Sequence, residues 1–346
     1  MIITTDLKDL TPAEIEKFCI NALGQKPGQG IRVAICLYRK KIEDFDGMID
    51  LNRLLREQLK QRCTISTLVV QRQAISEDGT KKFLFDLSDG NAVEGVIIPG
   101  PGGRHTLCVS TQVGCASGCG FCLTGSCGLV RNLSVAEMVN QVFAAQKISG
   151  SPFTNIVLMG TGEPLSNYEA VKSFAKILTD QHGMGYSARK ITLSTCGLAP
   201  AIERMAGDMD VNLAVSLNAT TDQVRDRIMP LNRTYPLSML MQALRYYSNI
   251  TGRTITIEYV LFKGINDFDD DAYRLMELLK GISCMINVLT FNPFPGTIFE
   301  RPDEERVYSF RNILLNHGFV AVVRGSRGKD IHAACGQLKA ASTRIR

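Results

Sequence analysis

From residue 155 to 323, short apolar runs alternate with amphipathic stretches, and this alternation constrains the chain more than any other feature. Strand-like runs fall at 155–159, 190–194, 212–217, 254–261, 285–289 and 319–323. Helical patterns fit between them at 168–179, 221–228, 238–247, 269–280 and 303–316. A further helix is opened by Ser134-Val135-Ala136-Glu137, whose hydroxyl and carboxylate are spaced as a capping box. Strands separated by helices pair in parallel, so the expected architecture is an α/β sheet, either open and doubly wound or curled into a full or partial barrel. In each of these, active residues sit at the carboxyl ends of strands.

The residues before this series read differently. Helices are expected over 11–23, 30–40 and 51–60, then strands over 63–70, 82–87 and 92–98, with turns at Asp78-Gly79 and Asp89-Gly90. A chain of 346 residues suits a catalytic domain plus a smaller one. The expected division is an accessory domain at 1–90, helical plus a small β part, and a catalytic domain at 91–346. Hydrophobic content of 45% and charged content of 21% predict a chain folded throughout. A net charge of +5 suits a polyanionic partner without requiring one. No apolar run is long enough to span a bilayer and the first residues lack a signal-peptide pattern, so a cytoplasmic protein is expected. In a reducing compartment the eleven cysteines then need metal ligation, catalysis or burial to explain them.

Spacing separates these explanations. Cys115, Cys119 and Cys122 lie within eight residues of a glycine-bearing loop, where backbone can wrap a compact metal centre. A 4Fe-4S cluster held by three thiolates keeps one iron open to an outside chelator. Zinc normally takes four ligands as two paired knuckles, and Cys127 has no matching second pair. The Cys-x3-Cys-x2-Cys spacing, with Phe121 before the last cysteine, resembles the radical S-adenosylmethionine superfamily. That resemblance implies one 4Fe-4S cluster, whose open iron chelates S-adenosylmethionine.

Further segments tighten the likeness: 106–115 (TLCVSTQVGC), 159–165 (MGTGEPL), 194–197 (STCG), 292–296 (NPFPG) and 330–338 (DIHAACGQL), with 44–48 and 54–57 near the N-terminus. Together they resemble the RlmN/Cfr family of RNA adenosine methyltransferases. The resemblance implies a partial (β/α)6 radical barrel behind the small accessory domain. It also implies methylation of adenine C2 in 23S rRNA at the peptidyl transferase centre, and in tRNA next to the anticodon. Two S-adenosylmethionine molecules would be consumed per product, with an electron donor such as flavodoxin, no membrane, and a monomeric chain.

By the same resemblance Cys335 carries the methyl group, Cys108 resolves the covalent RNA adduct and pairs with Cys335 in a disulfide, and Glu94 accepts the proton from the base. Cofactor-binding positions map to Gly162, Glu163, Ser194, Ser216, Leu217, Asn218 and Asn292. Asn218 stands where the family has His, and Leu123 and Gly125 depart from its usual Ser-Thr-Ala. Without their flanking motifs, Cys108 and Cys335 would read as small buried hydrophobes, and Glu94 as a surface carboxylate. Pro164 in Gly-Glu-Pro-Leu favours C2 over a C8-specific resistance relative, and a zinc-binding RNA module without activity is the non-enzymatic alternative. Basic residues at 38–41 and 339–346 are candidate phosphate contacts, or simply a solvated face.

Overall fold

A computed structural model of the chain describes residues 4–339 and the backbone of 341–342. Ten strands form one continuous sheet: β1 (Val69–Ile75), β2 (Lys81–Asp86), β3 (Asn91–Pro99), β4 (His105–Cys108), β5 (Asn155–Leu158), β6 (Ile191–Thr195), β7 (Asn212–Ser216), β8 (Ile255–Leu261), β9 (Cys284–Thr290) and β10 (Ala321–Arg324). Their spatial order follows the sequence without reversal, and a two-residue strand, Ala341–Ser342, adds antiparallel to β3. From β1 to β4 each neighbour is antiparallel, whereas β4 to β10 are parallel throughout.

Six crossovers join the parallel strands, carrying helices Val135–Ser149, Tyr168–Thr179, Ala199–Asp208, Leu237–Thr251, Asp269–Leu279 and Glu304–Asn316. Because crossovers are right-handed and the strand order never reverses, the helices belong on one face, and such a sheet curls toward a barrel. Val135–Ser149 packs on Tyr168–Thr179, Ala199–Asp208 on Leu237–Thr251, and Asp269–Leu279 on Glu304–Asn316, as this requires. Closure does not follow: among the described residues β10 pairs only with β9, and the other edge of β4 is taken by β3. The result is an open (β/α)6 arrangement whose parallel strands aim their carboxyl ends at one region.

The strand expected over 63–70 lies instead at Val69–Ile75, and two further elements of this sheet-and-helix series lay outside the sequence expectation. β4 has four residues, too few to display a period, and helix Ala199–Asp208 opens on an Ala-Pro start that reads as a turn. The helix expected over 30–40 is α-helical only at Gln29–Ala34 and continues as a π-helical turn, Ile35–Arg39.

The block formed by residues 4–65 packs against helix Val135–Ser149. Thr11 caps Pro12–Leu23, accepting from the Glu14 amide at 3.4 Å while the Glu14 carboxylate accepts from the Thr11 amide at 2.8 Å. Lys8 is fully buried and donates to Asn140 Oδ1 at 2.6 Å and to the Ser66 carbonyl at 2.7 Å. Asp9 accepts from the Ala136 amide at 2.8 Å, placing an acidic side chain at the start of that helix. Covered by the sheet on one side and by this block on the other, Val135–Ser149 is buried nearly all round. It also holds the loop after β4: Gln141 accepts from the Ser110 amide at 2.9 Å and donates to the Ser110 carbonyl at 3.0 Å.

Candidate active site at the strand ends

The loop after β4 is shaped by its own backbone. Gln112–Gly114 pairs antiparallel with Leu129–Asn132, and the segment between them carries the closely spaced cysteines. Gly114 has φ +79°, and a Cβ there would lie 1.8 Å from the Gly128 carbonyl oxygen, so only glycine lets the two arms close. The Cys122 amide donates to the Cys119 carbonyl at 3.1 Å, and the Gly120 amide to the Ile228 carbonyl at 3.0 Å. Cys115, Cys119 and Cys122 consequently wall one cavity of about 1000 Å³, its solvent mouth included.

Burial pushes all three thiols up, and for Cys119 the other two sulfurs add to the shift. Thiols so placed stay protonated until a cation compensates them. Among the described residues no three His, Cys, Asp or Glu side chains close around a single metal ion. Thiolates that each hold a different iron of a cubane need no such convergence, so the donor set fits a cluster with one open iron.

Opposite the cysteines, β5 is followed by the turn Gly160-Thr161-Gly162-Glu163. The Thr161 amide donates to Ser110 Oγ at 2.8 Å, and the Glu163 amide to Gln112 Oε1 at 2.8 Å, which ties this turn to the loop after β4. The Glu163 carboxylate is buried and bridges two strand ends. It accepts from the Leu165 amide at 3.0 Å through Oε1 and from the Cys196 amide, just past β6, at 2.7 Å through Oε2. Burial pushes this carboxyl up, and its hydrogen bonds, those of Cys196 foremost, pull it back. With Gly162, Glu163 forms part of the cavity wall, joined by Ser194 of β6, Ser216 of β7 and Asn292 after β9.

Two expected cofactor positions lie off that wall. Leu217 is buried and offers its carbonyl to Arg225 Nε at 3.0 Å. Asn218 sits at φ +57°, a conformation Asn tolerates. Its Oδ1 accepts from the Val260 amide at 2.9 Å and its carbonyl from Asn266 Nδ2 at 2.7 Å. The polar capacity of Asn218 is thus spent joining β8 to the turn after β7.

The C-terminal segment brings Cys335 to the cavity. It is pinned on both sides: Leu123 donates its amide to the Gly336 carbonyl at 2.7 Å, Thr124 its hydroxyl to Leu338 at 2.6 Å, and Ser76 its hydroxyl to Asp330 at 2.5 Å. Asn292 Nδ2 donates to the Cys335 carbonyl at 3.3 Å. Cys335 is solvent-accessible, but into the cavity, whose walls still desolvate the thiol and push it up, against an opposing pull from Arg324. Cys108, at the end of β4, is buried instead among Val96, Val157, Ala333 and Leu338. Burial first, then the Cys335 sulfur, push its thiol up to about 12.

The expected Cys108–Cys335 disulfide is not formed, since all eleven cysteines are free. Cys108 lies in the apolar layer beneath the segment whose Cys335 looks into the cavity, so the two thiols occupy different surroundings. Glu94 is off the wall as well, with Lys82 Nζ at 3.0 Å on Oε1 and the Lys339 amide at 2.9 Å on Oε2. In the segment 38–41, Tyr38 is buried and Lys40 is paired with Asp50; residue 340 and the tail beyond 342 fall outside the described residues.

Three charged residues at this site escaped the sequence reading. Arg225 is fully buried and ties down strand-end carbonyls, donating to Cys196 at 2.7 Å and Ser216 at 3.2 Å. Glu258 of β8 and Arg324 of β10 stand on the cavity wall. A lone carboxylate inside the apolar run Ile-Thr-Ile-Glu-Tyr-Val-Leu was a usable signal for Glu258, because an unpaired charge is costly in a buried strand. Arg225, between Asp222 and Asp226 on a short helix, reads like any surface charge.

An open parallel barrel with a three-thiol loop after its first parallel strand, facing a Gly-Glu turn after the second, defines a radical S-adenosylmethionine enzyme. Residues 109–277 match the radical SAM superfamily model, and residues 5–65 match the ribosomal RNA large subunit methyltransferase N-terminal domain. The chain belongs to the RlmN family of RNA methyltransferases: it is 49% identical over 334 residues to the dual-specificity RNA methyltransferase RlmN of Syntrophotalea carbinolica, covering 96% of this chain and 89% of that one. The RlmN of Geobacter sulfurreducens is 47% identical, with 96% and 92% covered. A radical SAM methyltransferase from Sphaerobacter thermophilus superposes with a TM-score of 0.89 at 45% identity, covering 96% of this chain and 99% of that one. Among the described residues no helix is long and apolar enough to cross a membrane.

Proposed function

We propose that this RNA methyltransferase acts on adenine C2 in 23S rRNA and in tRNA next to the anticodon, with Cys335 as the methyl carrier. The supporting observation is that Cys335 shares one cavity with Cys115, Cys119, Cys122 and the Gly162-Glu163 turn. Bound there, a 4Fe-4S cluster and two S-adenosylmethionine molecules per product supply a methyl donor and a hydrogen-abstracting radical. Adenine C2 is electron-poor and does not attack a sulfonium methyl itself, so a carrier and radical chemistry are both needed.

The residues divide this work. Cys115, Cys119 and Cys122 hold the cluster. Glu163, already fixed by two amides, keeps lone pairs for the ammonium of the cofactor, and Ser194, Ser216 and Asn292 orient the rest of it. Leu217 and Asn218 support the site from behind. Cys335 takes the methyl group, and Cys108 waits in the apolar layer to resolve the adduct through a transient disulfide. Glu94 serves as proton acceptor once the Lys339 amide and Lys82 release it. The accessory part at 1–90 contributes to RNA binding, a donor such as flavodoxin supplies the electron, and the chain acts as a cytoplasmic monomer.

The test is mass spectrometry of 23S rRNA and tRNA before and after incubation with anaerobically reconstituted protein, cofactor and reductant. Growth of 2-methyladenosine supports the reading. 8-Methyladenosine alone would move the chain to the C8 branch, and no methylated base on either RNA would end the proposal.

A further inference from the structure

The cavity wall holds a charged pair that the assignments above leave without a task. Arg324 closes β10, Glu258 lies in β8, and Arg324 Nη1 is 3.8 Å from Glu258 Oε1. That separation is an ion pair but too long for a hydrogen bond. Glu258 Oε1 is engaged instead by Asn287 Nδ2 at 2.9 Å. Among the described residues nothing accepts a hydrogen bond from the Arg324 guanidinium, so its donors remain available inside the cavity. Arg324 and Cys335 line the same cavity; burial works against the Arg324 charge, and Cys335, Glu258 and Cys108 favour it. Among the charged and titratable groups near Cys335, Arg324 favours the thiolate and Glu258 opposes it; Cys108 lies beneath, and Cys115, Cys119, Cys122 and Glu163 line the same cavity.

We propose that Arg324 is the positioning counter-ion that steadies the Cys335 sulfur as it ionises toward the methyl donor, with Glu258 limiting the strength of that hold. This rests on the reading of Cys335 as methyl carrier. The thiol is desolvated by its walls, and the carboxylate nearby would keep it protonated if no cation faced it. In the transfer, the thiol proton first leaves to solvent through the cavity mouth. A sulfur lone pair then forms the bond to the methyl carbon, the bond from methyl to sulfonium breaks, and its electron pair stays on the departing thioether. The product at Cys335 is a neutral thioether. Arg324 loses its attraction at that moment, and the loaded methyl group is free to turn toward the next reaction partner.

The test is the alkylation of Cys335 by iodoacetamide, resolved by peptide mass spectrometry, on the full chain reconstituted anaerobically with iron and sulfide. No S-adenosylmethionine is added, so Cys335 is unmethylated and turnover is not the readout. In Arg324→Gln the alkylation rate of Cys335 at pH 7 should fall about tenfold, one unit of displaced titration, and the midpoint of the rate profile should move up in pH. Arg324→Lys should restore most of the rate. Glu258→Gln should do the opposite and raise it. The exposed thiol of Cys127, outside this group of charges, is the internal reference and should not follow. An unchanged Cys335 profile in Arg324→Gln, or no rise in Glu258→Gln, overturns the proposal. Adding S-adenosylmethionine to the wild-type chain separates the two ideas: no methyl on the Cys335 peptide defeats the carrier reading, whatever Arg324 does.

Discussion

Gly162→Ala tests whether the turn after β5 is as tightly held as its contacts imply. Gly162 has φ +107°, outside the region where an L side chain is comfortable, and holding alanine there costs about 1–3 kcal/mol. The added Cβ would also lie 2.6 Å from Gln112 Cβ and 2.8 Å from the Gln112 backbone nitrogen. Gln112 cannot withdraw freely, because its Nε2 donates to Asn132 Oδ1 at 2.7 Å and its Oε1 accepts from the Glu163 amide at 2.8 Å. Overpacking of this kind adds about 1–3 kcal/mol, giving about 2–6 kcal/mol in all. The turn can relieve part of this by moving, but Glu163 then loses its grip on the Cys196 amide. The expected outcome is a loss of S-adenosylmethionine affinity of about 30-fold or more, the equivalent of about 2 kcal/mol, measured by anaerobic equilibrium dialysis. Gly207→Ala is the control, since nothing lies within 4 Å of its added Cβ and it sits in helix Ala199–Asp208. It should bind cofactor normally and unfold at a slightly higher temperature. Wild-type affinity and an unchanged melting temperature for Gly162→Ala would refute the reasoning.

Other perturbations probe separate parts of the chain. Burial lowers Lys8 from 10.5 to about 8, so the folded state prefers it neutral; the cost of burying its charge is full below pH 8 and is relieved as pH rises toward 10.5. In urea titrations the wild type should gain about 2 kcal/mol over Lys8→Met between pH 7.5 and 9.5, and a constant difference would contradict this. Arg225→Met strands the carbonyls of Cys196, Ser216 and Leu217 and the Asn232 side chain, and should cost about 3–5 kcal/mol in the same assay; a loss below about 1 kcal/mol would mean that these groups find other partners. Because burial raises Cys115, Cys119 and Cys122, loading iron should release protons and removing it should take them up. Cluster retention against a chelator should therefore weaken as pH falls from 8 to 6, and a flat dependence would show that the thiols were already ionised.

The legible parts of this protein are those in which chemistry is local. Ser134 with Glu137 is a capping box in the sequence and in the fold, because a cap is made within four residues. The spacing of Cys115, Cys119 and Cys122 is likewise a local property, set by one glycine-bearing loop. The alternation after residue 155 specifies parallel pairing, since a strand buried on both faces must be almost wholly apolar. Helix Tyr168–Thr179 matches its expected bounds because an amphipathic period of three turns is hard to mistake.

Position in space was not legible in the same way. The alternation alone leaves open sheet and barrel equally available, and the choice depends on strand order, which is settled by the packing of helices on one face of the sheet. Nothing in residues 90–110 announces that β3 takes the edge of β4 and so prevents closure. Asn218 and Ser216 stand two residues apart, yet one faces the cavity and the other spends its hydrogen bonds behind it, because the chain turns into a left-handed conformation between strand and helix. Cys335, Glu258 and Arg324 come from distant parts of the sequence. Their meeting is a consequence of parallel strands ending together, since electrostatic coupling depends on distance through the folded interior and not on separation along the chain.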